Sequence, residues 1–530
     1  MKHTLLLVIL MACMSGIMAG QLVLINYGDQ KELKSHFAQS NLSIHYYTEE
    51  IVIATAPAEY KGNFMVIEAN GMKLGQSYYI AWFHKQKETQ YISTIEADYD
   101  ILLESDQYLI IRANEDEPVH PPVRGRISRI SSNNIQLTQK KFNYTKGSLM
   151  MDPEIEQMME EVDTNIFLNN LQHLQDYGTR NAYEPESVQA QNWIKAQLES
   201  YGYSVELFDF TMPGGPASDN VIATKPGTVK PDENVVIGAH YDSYSWSGSA
   251  PGADDNGTGT CGVMEVARVM ADFDTDRTVI FCAWSGEEYG LYGSEAWANW
   301  AAGDEMNILG YFNIDMCGYR HPGDPIHTDM IAPSSAQPLV DFYTDVCAMY
   351  LPDFIVNAGN LTGGDSDHTS FNNAGYMGIF PFEDSQNYSP YIHTSGDVIG
   401  TSVNSLEMCM MFTQAMVANV ATMANWLSPP QNLVAMPGDA VVELAWESID
   451  ESDSYNVYKN SEPIPVANVT DPSFTDEDVE NLTTYTYYVT AIYSGSGDES
   501  DPSNMVTVTP LPPMAFPFSD DFESGALYWN

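Results

Sequence analysis

Val235-Val236-Ile237-Gly238-Ala239-His240-Tyr241-Asp242 is the stretch on which the fold turns: an apolar run, then an imidazole and a carboxylate two residues apart. An unbroken apolar run of this length predicts a strand buried on both faces, as in a sheet covered by helices. Outward from it, similar runs recur at Thr278–Ala283, Ile308–Ile314 and Met377–Phe380. They alternate with helical patterns at Thr258–Asp272, Leu291–Ala301 and Ser405–Trp426. That alternation predicts an α/β fold, a mainly parallel sheet with helices on both faces. Pro153–Asp176 and Glu186–Tyr201 read as helices in front of it, the second introduced by Glu184 and Pro185. The methionines of the closing helix read as core packing.

Polar groups stand just beyond these strands: His240-Tyr241-Asp242, Asp254-Asp255-Asn256, Glu287-Glu288, Asp315 and His393. In an open α/β sheet, ligands bind outside the carboxyl ends of the strands, so positions far apart in the chain can converge on one crevice. Two imidazoles and at least three carboxylates suit zinc, which accepts mixed nitrogen and oxygen donors. If one carboxylate bridges, five donors can serve two ions, which two-metal hydrolases hold about 3.5–4 Å apart. Adjacent Glu287 and Glu288 can divide labour, one holding metal while the other takes a proton from water.

The ordered set His240-x-Asp242, Gly252-Ala253-Asp254-Asp255-Asn256-Gly257-x-Gly259, Glu287-Glu288-x-Gly290-Leu291-x-Gly293-Ser294, Asn313-x-Asp315-Met316 and Ile392-His393-Thr394 resembles the co-catalytic di-zinc aminopeptidases. These are the bacterial leucyl-type enzymes related to glutamate carboxypeptidase and glutaminyl cyclase. The resemblance runs from about Pro153 to Trp426 and implies a zinc-exopeptidase fold of the phosphorylase/hydrolase-like kind. It implies two zinc ions: His240 and Asp315 as terminal ligands of one, Glu288 and His393 of the other, and Asp255 bridging. Glu287 would be the general base and Asp242 the acid that orients His240. Asp254 and the segment Asp365-Ser366-Asp367-His368 fall outside that metal set, and His321 and His327 read as loop residues without ligand partners. Met316 and Phe382 match positions near the pocket for the substrate's first side chain, favouring an apolar residue there. Asn357–Gly364 lacks the cysteine-closed loop of one branch of that family.

Around this centre the chain is organised in further parts. Lys2 and His3, the apolar run Leu5–Met14 and small residues ending at Ala19 and Gly20 make 1–20 a secretory signal, too short in its apolar part to span a bilayer. Leu10-Met11-Ala12-Cys13, a loose match to a lipoprotein cleavage site, ranks second. Residues 21–150 read as a β-rich domain, propeptide-like or accessory, with runs at Gln21–Tyr27, Ile51–Ala54, Phe64–Glu68, Tyr78–Phe83 and Tyr108–Arg112. The peptidase part is expected over 151–428. After Ser428-Pro429-Pro430, residues 429–512 carry short strands at Val441–Trp446, Ser454–Lys459, Thr484–Ile492 and Met505–Thr509. They resemble a fibronectin type III β-sandwich, a spacer or a platform for binding a cell surface or polymer. Residues 513–530 read as the opening of another β domain.

The formal charge of −50, from 72 acidic and 22 basic side chains, repels nucleic acid and anionic membranes. The five cysteines after the signal lack CxxC spacing and read as buried free thiols, neither a disulfide framework nor a zinc site. The expected activity is therefore that of a secreted zinc aminopeptidase acting on peptides with a free N-terminus. Alternatives are a glutaminyl cyclase, a carboxypeptidase or dipeptidase of the same fold, or a surface-binding protein whose enzyme domain is degenerate.

Overall fold

The computed structural model describes residues 20–26, 41–48, 50–83, 89–122, 125–135, 142, 144, 149, 151–361, 365–427, 429–449, 452–493 and 499–513. Nearly all of the expected signal, Ser428, the stretch Thr362–Gly364 and the expected start of another domain from residue 514 lie outside the described residues. The chain divides into two compact units, one of Met1–Tyr144 with Met151–Asn425 and the other of Thr145–Met150 with the chain from Trp426 onward.

The first unit opens with strands β1 (Gln21–Asn26), β2 (Ser43–Tyr47), β3 (Ile51–Ala56) and β4 (Met65–Glu68), in the order β2-β3-β1-β4. A second sheet follows from β5 (Gln76–Trp82), helix α1 (Thr89–Asp98), β6 (Asp100–Glu104), β7 (Tyr108–Asn114) and β8 (Arg126–Ile130), ordered β6-β7-β5-β8. In β5, Tyr78, Ile80 and Trp82 join one apolar cluster while Tyr79 and Ala81 join another. Both faces of this sheet are therefore covered, which the period of two in a strand allows.

Next come α2 (Pro153–Glu160), α3 (Thr164–Asp176), α4 (Pro185–Ser200), β9 (Ser204–Phe208), β10 (Asn220–Lys225), β11 (Lys230–His240), α5 (Gly259–Met270), β12 (Arg277–Trp284), α6 (Tyr292–Gly303) and β13 (Asn307–Asn313). They are followed by β14 (His327–Ile331), α7 (Gln337–Tyr350), β15 (Ile355–Ala358), α8 (His368–Asn373), β16 (Gly378–Phe382) and α9 (Leu406–Asn425). The single helical stretch expected over Pro153–Asp176 is two helices. Asp163 ends the first by capping the second, its carboxylate accepting from the amides of Asn165 at 2.7 Å and Ile166 at 3.1 Å.

The eight strands form one sheet, β15-β14-β16-β13-β11-β12-β10-β9. Its centre, β12-β11-β13-β16, is parallel as expected. The flanks are not: β9, β10 and β12 pair antiparallel, and so do β14 and β16, which makes the sheet mixed. A parallel neighbour needs a crossover, whereas β9 and β10 are joined by the helix-free segment Asp209–Asp219, which simply turns the chain back. Val236, Ile280, Cys282 and Trp284 pack with Trp297 and Ala298 of α6 and Phe371 of α8 on one face, while α5 and α9 pack against β11 and β12. All five cysteines after the signal are buried and unpaired, and among the described residues no helix is long and apolar enough to cross a membrane.

The second unit holds β17 (Val434–Gly438), β18 (Val441–Ala445), β19 (Ser452–Lys459), β20 (Ala467–Val469), β21 (Ser473–Asp476), β22 (Tyr485–Tyr493) and β23 (Val506–Val508). Sheets β17-β18-β21 and β20-β19-β22-β23 enclose Val442, Leu444, Trp446, Tyr455, Val457, Tyr487 and Val489.

Candidate functional site

His240 is the last residue of β11, and the strands beside it end at Trp284 and Asn313, so His240, Glu287-Glu288 and Asp315 leave the sheet at one edge. Asp255 arrives from the turn before α5. That turn is held by a cap not foreseen from the sequence: the two carboxylate oxygens of buried Asp397 accept the amides of Asp254 at 2.9 Å and Asp255 at 3.0 Å. Arg180, fully buried, donates to the carbonyls of Pro251 and Gly252, each at 2.7 Å. The Asn256 side chain accepts from the amide of Gly259 at 2.8 Å and donates to the carbonyl of Ile314 at 2.8 Å. A Cβ at Gly259 would meet the Asn256 oxygen at 2.3 Å and the Ile314 carbonyl at 2.4 Å, so the second glycine of Gly257-x-Gly259 is required by contact.

These supports bring all six expected groups together. Asp255 Oδ1 is 3.4 Å from His240 Nε2, and Asp255 Oδ2 is 3.3 Å from His393 Nε2. Asp315 Oδ1 lies 3.5 Å from His240 Nε2, Glu288 Oε2 2.8 Å from His393 Nε2, and Glu287 Oε2 3.7 Å from His240 Nε2. Asp255, Glu287, Glu288, Asp315 and His393 line one cavity, together with Asp365, with Arg126 and Ile127 of β8, and with Pro121 from the segment before it.

Asp242 departs from the expectation in detail. The ring nitrogen His240 Nδ1 is 3.1 Å from the main-chain carbonyl of Asp242 and 3.6 Å from its carboxylate. The carboxylate instead accepts the amides of Glu287 and Glu288, both at 3.3 Å, so one residue orients the imidazole and the acid pair. A second relay fixes Asp315: Asn313 donates to Ser366 Oγ at 2.8 Å, and Ser366 Oγ donates to Asp315 Oδ2 at 2.7 Å, turning Oδ1 toward His240. Ser366 belongs to the segment left out of the metal set, and its part here had no sequence signal beyond its neighbours.

The electrostatics follow from burying four carboxylates with two imidazoles. Burial pushes Glu287 well above the usual carboxylate range, His240 opposing and Asp315 and Glu288 adding to the rise. Glu288 is raised to about 7 by burial and by Asp255. Asp255 moves the other way: burial would raise it, but both imidazoles hold it well below the ordinary value. Burial disfavours the charged form of His393, yet Glu288 and Asp255 lift it to about 10. The assembly draws positive charge into a buried place.

Other sequence readings sort out by position. Asp254, expected outside the metal set, is fully buried and accepts the amide of Gly318 at 2.9 Å. His368, held down to about 3 by burial and Arg126, packs its ring against Phe380 apart from the acids. His321 sits exposed beside Asp324. His327 corrects its reading as a loop residue without partners: it opens β14, with Asp329 at 3.8 Å and Asp384 at 3.9 Å, and the three lie outside the cavity lining. The i, i+2 spacing of His327 and Asp329 on a strand was the signal available.

The sequence profile of Peptidase family M28 matches residues 220–417. A probable leucine aminopeptidase of Trichophyton verrucosum is 30% identical over 283 residues, 48% of this chain and 70% of the relative. The chain belongs to peptidase family M28. This M28 peptidase is also similar to leucine aminopeptidase 1 of Pyrenophora tritici-repentis, 30% identical over 298 residues, 51% of this chain and 72% of the relative. It is 29% identical over 313 residues to leupeptin-inactivating enzyme 1 of Streptomyces exfoliatus, covering 56% of this chain and 67% of that one. For the probable leucine aminopeptidase of Arthroderma otae, 31% identical, the match spans 66% of the relative's length and 46% of this chain. In fold, it resembles the LapA aminopeptidase of Legionella pneumophila, with a TM-score of 0.54 at 22% identity over 67% of this chain and 99% of that one.

The family is zinc-dependent, and the residues of this M28 peptidase fit a metal. His240 Nε2, Glu288 Oε1 and Asp315 Oδ1 are buried atoms without a hydrogen-bond partner, on side chains that belong to groups close enough together to share a metal ion. Such orphaned atoms in a native interior call for a ligand.

Proposed function

We propose that this protein is an aminopeptidase that removes the first residue of peptides with a free N-terminus, using two zinc ions and Glu287. The observation that carries the reading is the placement of Asp255, whose two oxygens face two different imidazoles at 3.4 and 3.3 Å. One carboxylate so disposed serves two sites, His240 with Asp315 and His393 with Glu288. Zinc bound there would supply Lewis acidity and make water acidic enough to attack at neutral pH.

The chain's own residues do the rest. Glu287, which needs no metal of its own in this scheme, takes the proton of the attacking water and returns it to the leaving amine. Asp242 keeps the Glu287-Glu288 backbone in register with His240. Asp315 and Glu287 offer acceptors to the substrate's α-amine. Met316, Phe380, Phe382, Ile331 and Ile392 form a buried apolar group next to Asp315 and His393, which favours an apolar first residue. The layout of residues 1–20 supports export, and the two-sheet sandwich after Trp426 supports a fibronectin type III-like module without chemistry of its own.

The test is a digest of one peptide in free and N-acetylated form, followed by mass spectrometry. A ladder shortened only from the N-terminal side, with the acetylated peptide spared, is expected. Equal cleavage of both, a cyclised N-terminal glutamine without shortening, or dominant internal fragments would overturn the reading.

A further inference from the structure

We infer that the N-terminal β domain is an intramolecular plug whose Arg126 guanidinium occupies the place of the substrate's N-terminal ammonium group. The inference rests on the aminopeptidase reading for what it blocks, but its geometry stands apart from that reading.

Arg126 is the first residue of β8 and reaches across from the N-terminal sheet into the acid cluster. Its Nη1 donates to the main-chain carbonyl of Asp365 and lies 4.0 Å from Asp315 Oδ2, with 16% of the side chain exposed. Pro121 and Ile127 flank it, and what remains of the cavity is about 10 Å³. That is room for roughly one water and none for a peptide. A cation bonded to a carbonyl beside Asp315 is what an incoming peptide α-ammonium would present, so the plug and the substrate compete for the same acceptors. Bound zinc would offset part of the acids' charge. The hydrogen bond to a neutral carbonyl and the steric block would remain.

The plug is held from behind by contacts away from the metal-binding acids. Tyr79 and Tyr292 share a hydroxyl–hydroxyl bond of 2.6 Å, and Arg129 pairs with Glu295 while its guanidinium lies 4.7 Å from the centre of the Tyr292 ring. Tyr79, Leu109 and Ile111 from the N-terminal sheet form one apolar core with Phe210, Met212 and Tyr289 of the peptidase. A shared core of this kind is a stable seat, so the closed form dominates and productive binding is reduced by the small fraction that is open. Removing or dislodging the domain then turns the activity on.

The experiment uses the full chain loaded with zinc, comparing wild type, Arg126→Ala, and Arg129→Ala as a variant that loosens the seat without touching the cavity. Two readouts are taken: kcat/KM on aminoacyl chromogenic substrates, and the rate at which a chromogenic chelator strips zinc. Losing a charge-assisted hydrogen bond should open the site about tenfold to a hundredfold more often. Both readouts should therefore rise by that order for Arg126→Ala, and in the same direction for Arg129→Ala, with zinc content unchanged. If zinc is released faster while no substrate is cut by any form, the aminopeptidase reading fails and the plug stands. If Arg126→Ala holds its zinc normally and both readouts stay at or below wild type, the plug is overturned.

Discussion

In the sandwich after Trp426, Asp476 is 5% exposed and is met by Lys459 Nζ at 2.8 Å, the Tyr487 hydroxyl at 2.7 Å and the amide of Asp478 at 2.9 Å. In the peptidase core, Asp255, Glu288 and Asp315 are as deeply buried, yet they face imidazoles and one another, and two of their oxygens have no partner. The sandwich matches this buried charge internally, as a module selected for stability does. The core leaves charged donors open at the acid cluster, where perturbed groups gather as they do at functional sites. The difference locates the chemistry without reference to any relative, and it can be broken at several points.

The largest expected effect is on turnover. Glu287→Gln keeps the shape and the donors but removes the proton acceptor, so kcat should fall by about 10²–10⁴-fold with metal content intact. Steady-state assays alongside elemental analysis check both halves. A near-normal rate would take Glu287 out of the mechanism and leave proton transfer in the open core to some other group.

Metal removal probes the contrast directly. A ligand at 100 times its dissociation constant stabilises the folded state by about 2.7 kcal/mol. Calorimetry before and after chelation should lower the melting of the core by an effect of that order and leave the sandwich transition in place. Equal shifts in both, or none in the core, would mean that the acid cluster is not completed by metal.

Much of this was legible in the sequence, for physical reasons that also mark its limits. The parallel centre announced itself because strands buried on both faces need unbroken apolar runs, and the site because its donors stand where those runs stop. The mixed edges were not legible, since pairing direction at β9, β10 and β14 depends on whether a connection carries a crossover helix, and a pattern of single strands does not show that. Nor were Arg180, Asp397 and Ser366. Each is one polar residue in a loop, with no period to mark it, and its importance lies in bonds to groups brought close only by folding: main chain for Arg180 and Asp397, the Asn313 and Asp315 side chains for Ser366. The plug was legible only as a β-rich segment in front of an enzyme. That Arg126 reaches the acids needed the structure.

Asp397 offers a middle-sized test of those hidden supports. Asp397→Ala leaves two buried amides without acceptors, which should cost about 2 kcal/mol of core stability. It should also weaken zinc binding by roughly 10–100-fold, as loss of an outer support typically does. Denaturant unfolding and competition with a chelator of known affinity measure the two. Unchanged zinc affinity would show that the turn before α5 holds Asp255 without this cap.

The smallest effect belongs to the sandwich, and its sign can be worked out. Burial alone would raise Asp476, but Lys459, Tyr487 and the amide of Asp478 together hold its carboxyl below the ordinary value. A carboxyl depressed on folding contributes stability that is fully present above its unfolded value of about 3.9 and fades as pH falls through the folded one. Asp476→Asn should therefore cost about 1 kcal/mol at neutral pH, since the ion pair and its hydrogen bonds are weakened. It should cost less at pH 3, below the unfolded value, where proton uptake by the unfolded chain's carboxyl already removes part of that stability. Denaturant curves of the sandwich transition at the two pH values read this as a gap between variant and wild type that narrows in acid, with kcat/KM on peptides unchanged throughout. A gap of equal size at both would mean that side-chain shape, and not charge, is what Asp476 supplies. The contrast between a closed module and an open core would then rest on the core alone.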